Sequence, residues 1–335
     1  MPTFLSSRPV LALTMGDPAG IGPEIILKAL ANPAIKGLAD YIIIGDLEVL
    51  NKAKDVLDKR RIPYPKDLSG VNTLDLKNVP MPGFSFGREK AAYGKASIEY
   101  IKKAFELITS GAADGIVTAP INKSATRKSG FPFPGHTEYL ANLAGVKNFV
   151  MMLIGGPLKV SLVTRHIRLS DVSEKLTIKN ISDTIAMTLN ALRTDFGING
   201  PRIGVCALNP HASDGGMFGD EEAKIISPAI SKFRKLGVRG PFPADSIFYD
   251  AYRGRFDCVV SLYHDQGLIP LKMIARDSGV NITLGLGFVR TSPDHGTAFD
   301  IAGGGKADPS SMEMAIKTAA DMARNRRKNA LKKRN

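Results

Sequence analysis

The sequence has no tryptophan and only two cysteines among its 335 residues. Two cysteines argue against a disulfide framework, and because Cys206 and Cys258 each lie in a strand-like apolar run, we expect both to be reduced core residues. No apolar run approaches the length that crosses a bilayer, so no membrane span is expected. Residues 1–10 contain no apolar segment followed by a small-residue cleavage site, so no export signal is predicted and the cytoplasm is the expected compartment.

The formal net charge of +13 is unevenly distributed along the chain. Seven basic residues and no acidic residue lie in residues 324–335. A basic tail of this kind is typical of a solvated, disordered end, so we do not expect a nucleic-acid partner. The remaining positive excess suits an enzyme for anionic substrates, because positive potential raises the rate of encounter with phosphates and carboxylates.

A chain of this length exceeds the size that one hydrophobic core usually supports, so two lobes with a ligand-binding cleft are expected. Short apolar runs alternate with helical patterns, which predicts an α/β fold on a mainly parallel sheet. The predicted strands are Val10–Thr14, Tyr41–Ile44, Gly115–Thr118, Phe149–Ile154, Val160–Val163, Ile203–Leu208 and Cys258–Leu262. The predicted helices are Pro23–Ala31, Leu47–Lys59, Ala91–Thr109, Ile178–Phe196, Glu221–Leu236 and Ser310–Lys328.

Three of the five histidines follow predicted strands: His166, His211 and His264. Ligands bind beyond the carboxyl ends of strands in open α/β sheets, and three imidazoles can hold Zn²⁺ while leaving a position open for substrate. Each histidine alone is more simply a surface or hydrogen-bonded residue, but three equivalent positions favour a metal site. Asp245 and Asp265 would orient these rings, add a carboxylate ligand or act as a base.

Two further motifs have open interpretations. The glycine-rich turn in residues 14–24 precedes a predicted helix, and it is either an anion-binding turn or merely a tight one. Its spacing matches neither the dinucleotide fingerprint nor the P-loop. His136 and Thr137 follow a proline-rich loop, where they would bind a phosphate or carboxylate or else cap a helix.

Three polar side chains recur at intervals of nine residues in a nearly uncharged segment: Lys272, Asn281 and Arg290. Two cations and an amide suit the binding of a phosphate, with solvated surface residues as the alternative. Asp294 and His295 lie in the polar loop that follows, which is a candidate for nucleotide contact.

Together these motifs resemble those of the 4-hydroxythreonine-4-phosphate dehydrogenase family from about Leu11 to Ala320. The segments that carry the resemblance are Gly16–Pro23, Pro134–Glu138, Leu208–Ala212, Tyr263–Gly267, Gly279–Leu286 and Arg290–Thr297.

The resemblance implies one catalytic unit with a two-lobed α/β/α fold of the isocitrate/isopropylmalate dehydrogenase type. The chain ends would form one lobe and residues from about 130 to 290 the other, with an active site in the cleft at a homodimer interface. By motif position, an ion between subunits would be bound by His166, His211 and His264. The residues that would hold the substrate are His136, Thr137, Lys272, Asn281 and Arg290.

The implied reaction is oxidation of 4-phosphooxy-L-threonine by NAD or NADP, with Zn²⁺, Mg²⁺ or Co²⁺ as the metal. Its product, 2-amino-3-oxo-4-(phosphooxy)butanoate, would decarboxylate to 3-amino-2-oxopropyl phosphate in vitamin B6 synthesis. Related enzymes oxidise D-threonate or D-erythronate 4-phosphate, which carry a hydroxyl in place of the amine at C2. A non-catalytic binder of phosphometabolites or nucleic acid is the alternative of another class, but it leaves the strand-end histidines unexplained.

Overall fold

A computed structural model describes residues 8–66 and 71–332 of the chain. The chain divides into two units. The terminal unit comprises the residues up to Lys147 together with Leu286–Lys328, and the central unit comprises Asn148–Gly285 with the chain from Asn329 onward. Strands and helices alternate in both units, which confirms the predicted α/β fold.

The described residues form eleven strands, and each predicted strand overlaps one of them. In chain order the strands are β1 (Val10–Thr14), β2 (Asp40–Gly45), β3 (Val71–Asp75), β4 (Gly115–Thr118), β5 (Val150–Gly155), β6 (Leu158–Leu162), β7 (Ile203–Cys206), β8 (Val238–Phe242), β9 (Cys258–Ser261), β10 (Val280–Leu284) and β11 (Val289–Pro293).

The α-helices are α1 (Gly22–Ala31), α2 (Pro33–Lys36), α3 (Leu47–Lys59), α4 (Ala91–Thr109), α5 (Lys123–Lys128), α6 (His136–Leu143), α7 (Val172–Lys175), α8 (Ile178–Thr194), α9 (Ser227–Ser231), α10 (Ala244–Tyr252), α11 (His264–Ala275) and α12 (Ser310–Lys332). The prediction of a helix over Glu221–Leu236 is confirmed in part. The chain is helical without a break from Glu221 to Ser231, first as a π-helical turn at Glu222–Ile226 and then as α9, and a separate 3₁₀ turn follows at Arg234–Leu236. Pro228, which has no N–H to donate, lies in the first turn of α9 where the π-helical pattern ends.

In the terminal unit the strand order is β3-β2-β1-β4-β11, and all neighbours are parallel. Leu11, Leu13 and Val117 are fully buried, as expected for strands covered on both faces. Because the strands are parallel, their carboxyl ends share one edge. Thr14, the last residue of β1, is paired with Thr118, the last residue of β4, so the segments that follow them begin side by side.

In the central unit the order is β10-β5-β6-β9-β7-β8, with antiparallel pairs at β10–β5 and β5–β6. Strands β6, β9 and β7 are parallel neighbours. Leu162, Val259 and Leu271 belong to the hydrophobic core behind them. The carboxyl ends of these three strands therefore lie at one edge, and the segments that carry the three strand-end histidines all leave from it.

Helix α12 continues through Lys332, so the expectation of a disordered basic tail is wrong over most of that segment. Two of its basic side chains have partners elsewhere in the terminal unit: Arg327 pairs with Asp114 at 2.7 Å, and Arg324 donates to the carbonyl of Leu38. The last basic residues, Lys333 and Arg334, lie outside the described residues, as do residues 1–7 of the ten on which the export-signal prediction rests. None of the helices in the described ranges combines the length and apolar character needed to span a bilayer.

Candidate active site

The structure brings two of the predicted metal ligands together at the carboxyl edge of the central unit. His166 follows β6 and His264 is the first residue of α11, and their ring centroids lie 5.3 Å apart. Both line a pocket of about 1280 Å³. Two imidazoles that face one cavity form an arrangement able to share a ligand.

Both predicted carboxylates lie at the same pocket. Asp245 is in the first turn of α10, and Asp265 follows His264. Oδ1 of Asp265 lies 2.6 Å from Nδ1 of His264. A carboxylate in this position accepts a hydrogen bond from Nδ1–H, which fixes the ring and leaves the Nε2 lone pair available to a metal.

His211 is placed differently. It is exposed and is not among the described residues that line the pocket. It lies in the turn Pro210–Gly216, where His211, Ala212, Ser213 and Asp214 all have positive φ. In the described part of a single chain, no group of three or more His, Cys, Asp or Glu side chains could hold a metal ion.

The pocket wall is strongly apolar, which sequence reasoning missed. Leu169 is 73% exposed and Met273 is 81% exposed, with Tyr249 and Ile269 beside them in the lining. The available signal was α11, whose apolar residues surround the helix instead of forming one stripe. A helix that is apolar on every side needs a second buried face.

A second polar cluster lies in the terminal unit, centred on Arg290. This side chain is buried, donates to Oγ1 of Thr118 at 2.8 Å and lies 3.5 Å from Oγ1 of Thr137. Burial lowers the pKa of Arg290 to about 10, so the guanidinium remains charged at neutral pH. A buried cation among hydroxyl groups is suited to an anionic ligand.

His136, the first residue of α6, belongs to this cluster. Burial and the positive charge of Arg290 hold the pKa of His136 well below its usual value. The ring has a hydrogen bond to the backbone of Ala119, while Nε2 is buried with no partner in the described structure. Gly135 is the residue that precedes the helix, and Thr137 lies within the first turn, so the alternative of Thr137 as a helix cap is wrong.

The glycine-rich turn reaches the same edge of the terminal unit. Gly16 has φ +72°, and a Cβ there would lie 2.3 Å from the carbonyl oxygen of Pro120. Asp17 is fully buried; its Oδ1 accepts from the N–H of Ala19, and its Oδ2 has no partner among the described residues. Burial is the largest cause that raises the pKa of Asp17 to about 7. Sequence reasoning missed this carboxyl, although an acidic residue between a buried strand and a glycine turn was a visible signal.

The loop with Asp294 and His295 is joined to this turn. The N–H of Ile21 donates to the carbonyl of Thr297 at 3.1 Å. Lys28 of α1 donates to the carbonyls of Gly305 and Ala307 further along the loop. The two backbone segments that sequence reasoning associated with an anion or nucleotide are thus neighbours.

The two remaining predicted substrate residues lie in the central unit. Lys272 is exposed on α11. Asn281 lies in β10, paired with Leu153, and its Oδ1 is buried with no partner in the described ranges. A buried amide oxygen in this state can accept a hydrogen bond from a ligand.

The chain matches known proteins over nearly its whole length. The family described as "Pyridoxal phosphate biosynthetic protein PdxA" matches residues 37–319. A 4-hydroxythreonine-4-phosphate dehydrogenase of Geobacter metallireducens is 44% identical over 329 residues, 95% of this chain and 97% of that protein. A D-threonate 4-phosphate dehydrogenase of Cupriavidus necator is 44% identical over 330 residues, covering 95% of this chain and 98% of that one.

A solved structure of 4-hydroxythreonine-4-phosphate dehydrogenase from Klebsiella pneumoniae superposes with a TM-score of 0.84 at 40% identity, covering 95% of this chain and 98% of that one. The sequence match and the structural match both span the edges where the two polar clusters lie. The chain belongs to the PdxA family of dehydrogenases.

Proposed function

We propose that this protein oxidises 4-phosphooxy-L-threonine with NAD or NADP in the synthesis of pyridoxal 5′-phosphate. The product would be 2-amino-3-oxo-4-(phosphooxy)butanoate, a β-keto acid that loses CO₂ to give 3-amino-2-oxopropyl phosphate. The observation that carries this proposal is the pair of imidazoles, His166 and His264, that faces a pocket together with Asp245 and Asp265.

The anionic groups of the substrate would be held by Arg290, Thr137 and His136. The guanidinium supplies charge and paired donors, and the hydroxyl of Thr137 lies beside it. An incoming phosphate would offset the charge of Arg290 and favour protonation of His136 at Nε2, which would then donate a hydrogen bond to the phosphate. Lys272 and Asn281 would add a cation and an amide, as the family resemblance implies.

A divalent ion, Zn²⁺, Mg²⁺ or Co²⁺, suits the pocket because two imidazoles face it and two carboxylates lie in its lining. Bound there, the ion would act as a Lewis acid on the substrate hydroxyl, and the nicotinamide would accept the hydride. Asp265 would hold His264 through its 2.6 Å contact. Asp245, on the same wall, would accept the proton of the hydroxyl.

We propose that His211 completes the ligand set in a homodimer. Within one chain the described residues bring only two of the three imidazoles together. The wall beside them exposes Leu169, Tyr249 and Met273, and an apolar surface of this kind is typical of an interface.

The cofactor would lie against the terminal unit, where the glycine-rich turn meets the loop of Asp294 and His295. Backbone N–H groups at the start of α1 and the polar loop both suit a nucleotide.

The thiols of Cys206 and Cys258 are buried and form no disulfide, which suits a reducing compartment, and we propose that the reaction occurs in the cytoplasm.

Oxidation of D-threonate or D-erythronate 4-phosphate is the second candidate function, because a D-threonate 4-phosphate dehydrogenase is as similar to the chain as the amino-acid enzyme. The two substrate classes share the phosphate and the oxidised carbinol and differ at C2. Arg290, Thr137 and His136 would therefore bind the phosphate of either substrate class.

The test is NAD(P)H formation by chelator-stripped protein, with each metal restored in turn and each substrate supplied. Metal-dependent turnover that favours the amino substrate supports the first function, and preference for the hydroxy acid supports the second. Turnover that is indifferent to chelation would remove the metal from the proposal. No turnover with either substrate would favour a non-catalytic phosphometabolite binder.

A further inference from the structure

The turn that carries His211 adopts a backbone conformation that its own residues disfavour. His211, Ala212, Ser213 and Asp214 have φ values of 52°, 56°, 63° and 44°. In the left-handed region the Cβ of an L-residue lies too close to the following carbonyl oxygen, and none of these four residues is glycine. Such a segment persists only where contacts outside it hold the chain.

One buried carboxylate makes those contacts at the entrance to the turn. Oε1 of Glu222 accepts the backbone N–H groups of both Leu208 and Asn209 at 2.8 Å. Its Oε2 accepts from Nδ2 of Asn209 at 2.9 Å. Glu222 is only 4% exposed, so these bonds are shielded from water.

The surrounding structure supports the same arrangement. Glu222 begins a π-helical turn, a rare conformation that is frequent at functional sites. Nδ2 of Asn209 also donates to Glu221 at 2.8 Å, and Glu221 in turn accepts from Ser173. Gly219 leaves room for this group, because a Cβ there would lie 2.5 Å from Oε2 of Glu221.

We propose that Glu222 and Asn209 are positioning residues that hold His211 in the orientation in which it binds the metal. The inference rests on the proposed role of His211 as a ligand. The carboxylate fixes the two backbone amides just before Pro210, and this sets the direction in which the left-handed turn leaves β7. A ligand held in advance loses less conformational freedom when the ion binds.

The experiment is a titration of the chelator-stripped full chain with Co²⁺ and Zn²⁺ against a competing chelator. Glu222→Gln replaces an acceptor oxygen with an NH₂ group. Asn209→Ala removes the amide side chain but keeps the hydrogen bonds from the backbone N–H groups of residues 208 and 209 to Glu222. We expect each to weaken metal binding by about ten-fold or more, with turnover largely restored at saturating metal. The shift in the metal requirement without a matching loss of turnover separates positioning from general damage.

The matched control is Asp257→Asn. Asp257 also accepts a backbone N–H, that of Arg202 at 2.7 Å, but at the opposite ends of β7 and β9. We expect this variant to lower the thermal midpoint and leave metal affinity unchanged. If Glu222→Gln does not fold, Asn209→Ala carries the test.

His211→Ala separates the two proposals. If it loses metal affinity while Glu222→Gln and Asn209→Ala bind Co²⁺ as tightly as the wild type, the positioning role is wrong and the ligand role stands. If His211→Ala itself binds the ion unchanged, both roles are wrong.

Discussion

The carboxyl of Asp17 makes the stability of the protein depend on pH in a direction that can be derived from the structure. It is fully buried and accepts one hydrogen bond, from the N–H of Ala19. Desolvation, with a smaller contribution from Glu89, raises its pKa from 3.8 to about 7. The folded protein therefore retains a proton that the unfolded chain releases.

The sign of the effect follows from proton linkage. Between about pH 4 and about pH 7 the folded state binds more protons than the unfolded state, so the free energy of unfolding falls as pH rises. Above about pH 7 the carboxyl is ionised in both states, and the full destabilisation of the folded state is present. The two pKa values differ by about 3 units, and each unit corresponds to roughly 1.4 kcal/mol, so the destabilisation is at most about 4 kcal/mol.

The substitution Asp17→Asn removes this titration and keeps the side-chain oxygen that accepts from Ala19. Urea unfolding of both proteins at about pH 4 and about pH 8 gives the relevant difference. We expect the wild type to lose up to about 4 kcal/mol more than the variant over this range. Burying the amide NH₂ group of the variant in place of Oδ2 changes its free energy of unfolding by the same amount at both pH values. This contribution therefore cancels when the change with pH is compared between the two proteins.

Asp55→Asn is the control for this measurement, because Asp55 lies exposed on α3 of the same unit. We expect its pH dependence to match that of the wild type. If the curves for the wild type and Asp17→Asn run parallel, the carboxyl is not held protonated and the reasoning is wrong.

Three further changes test the terminal unit. Arg290→Lys keeps the positive charge but loses the paired N–H donors of the guanidinium. We expect KM for the phosphorylated substrate to rise about 100-fold in steady-state assays, and an unchanged KM would contradict the proposed role of Arg290 in binding the phosphate. Phosphate binding near pH 7 should take up a proton at His136, and calorimetry in buffers of different ionisation enthalpy should show the uptake in the wild type but not in His136→Asn. Gly22→Ala places a Cβ 2.0 Å from the carbonyl oxygen of Met15, and urea unfolding should show a loss of about 3 kcal/mol or more; a neutral result would contradict the close approach.

The sequence predicted the parts of the fold in which one physical signal dominates. Buried parallel strands such as β1 and β4 are continuous apolar runs, and polar motifs follow directly where they end. That pattern was enough to predict that His166 and His264 leave from a common edge. It could not give the strand order that makes β6 and β9 neighbours, because pairing depends on long-range packing.

Strands β10 and β11 were missed because each contains a polar residue at a position that the apolar pattern requires. Asn281 interrupts β10 and Arg290 interrupts β11. Both side chains were predicted as substrate ligands, and their polarity hid the strands that carry them. Helix α11 was missed for a related reason, since Pro270 lies inside it.

The histidine set exposes the limit of reasoning from one chain. Strand β7 is a parallel neighbour of β9, so topology alone would bring His211 to the same edge as His264. Instead the left-handed turn carries it away from the lining of the pocket. If a second chain completes the site, metal affinity must fall when the protein is diluted below the dimer dissociation constant, and by linkage each bound ion must tighten the dimer by the same factor. Chelator-competition titrations at a series of protein concentrations measure the first quantity, and sedimentation with and without Co²⁺ measures the second. Metal binding that does not change on dilution to the monomer would place all three ligands in one chain.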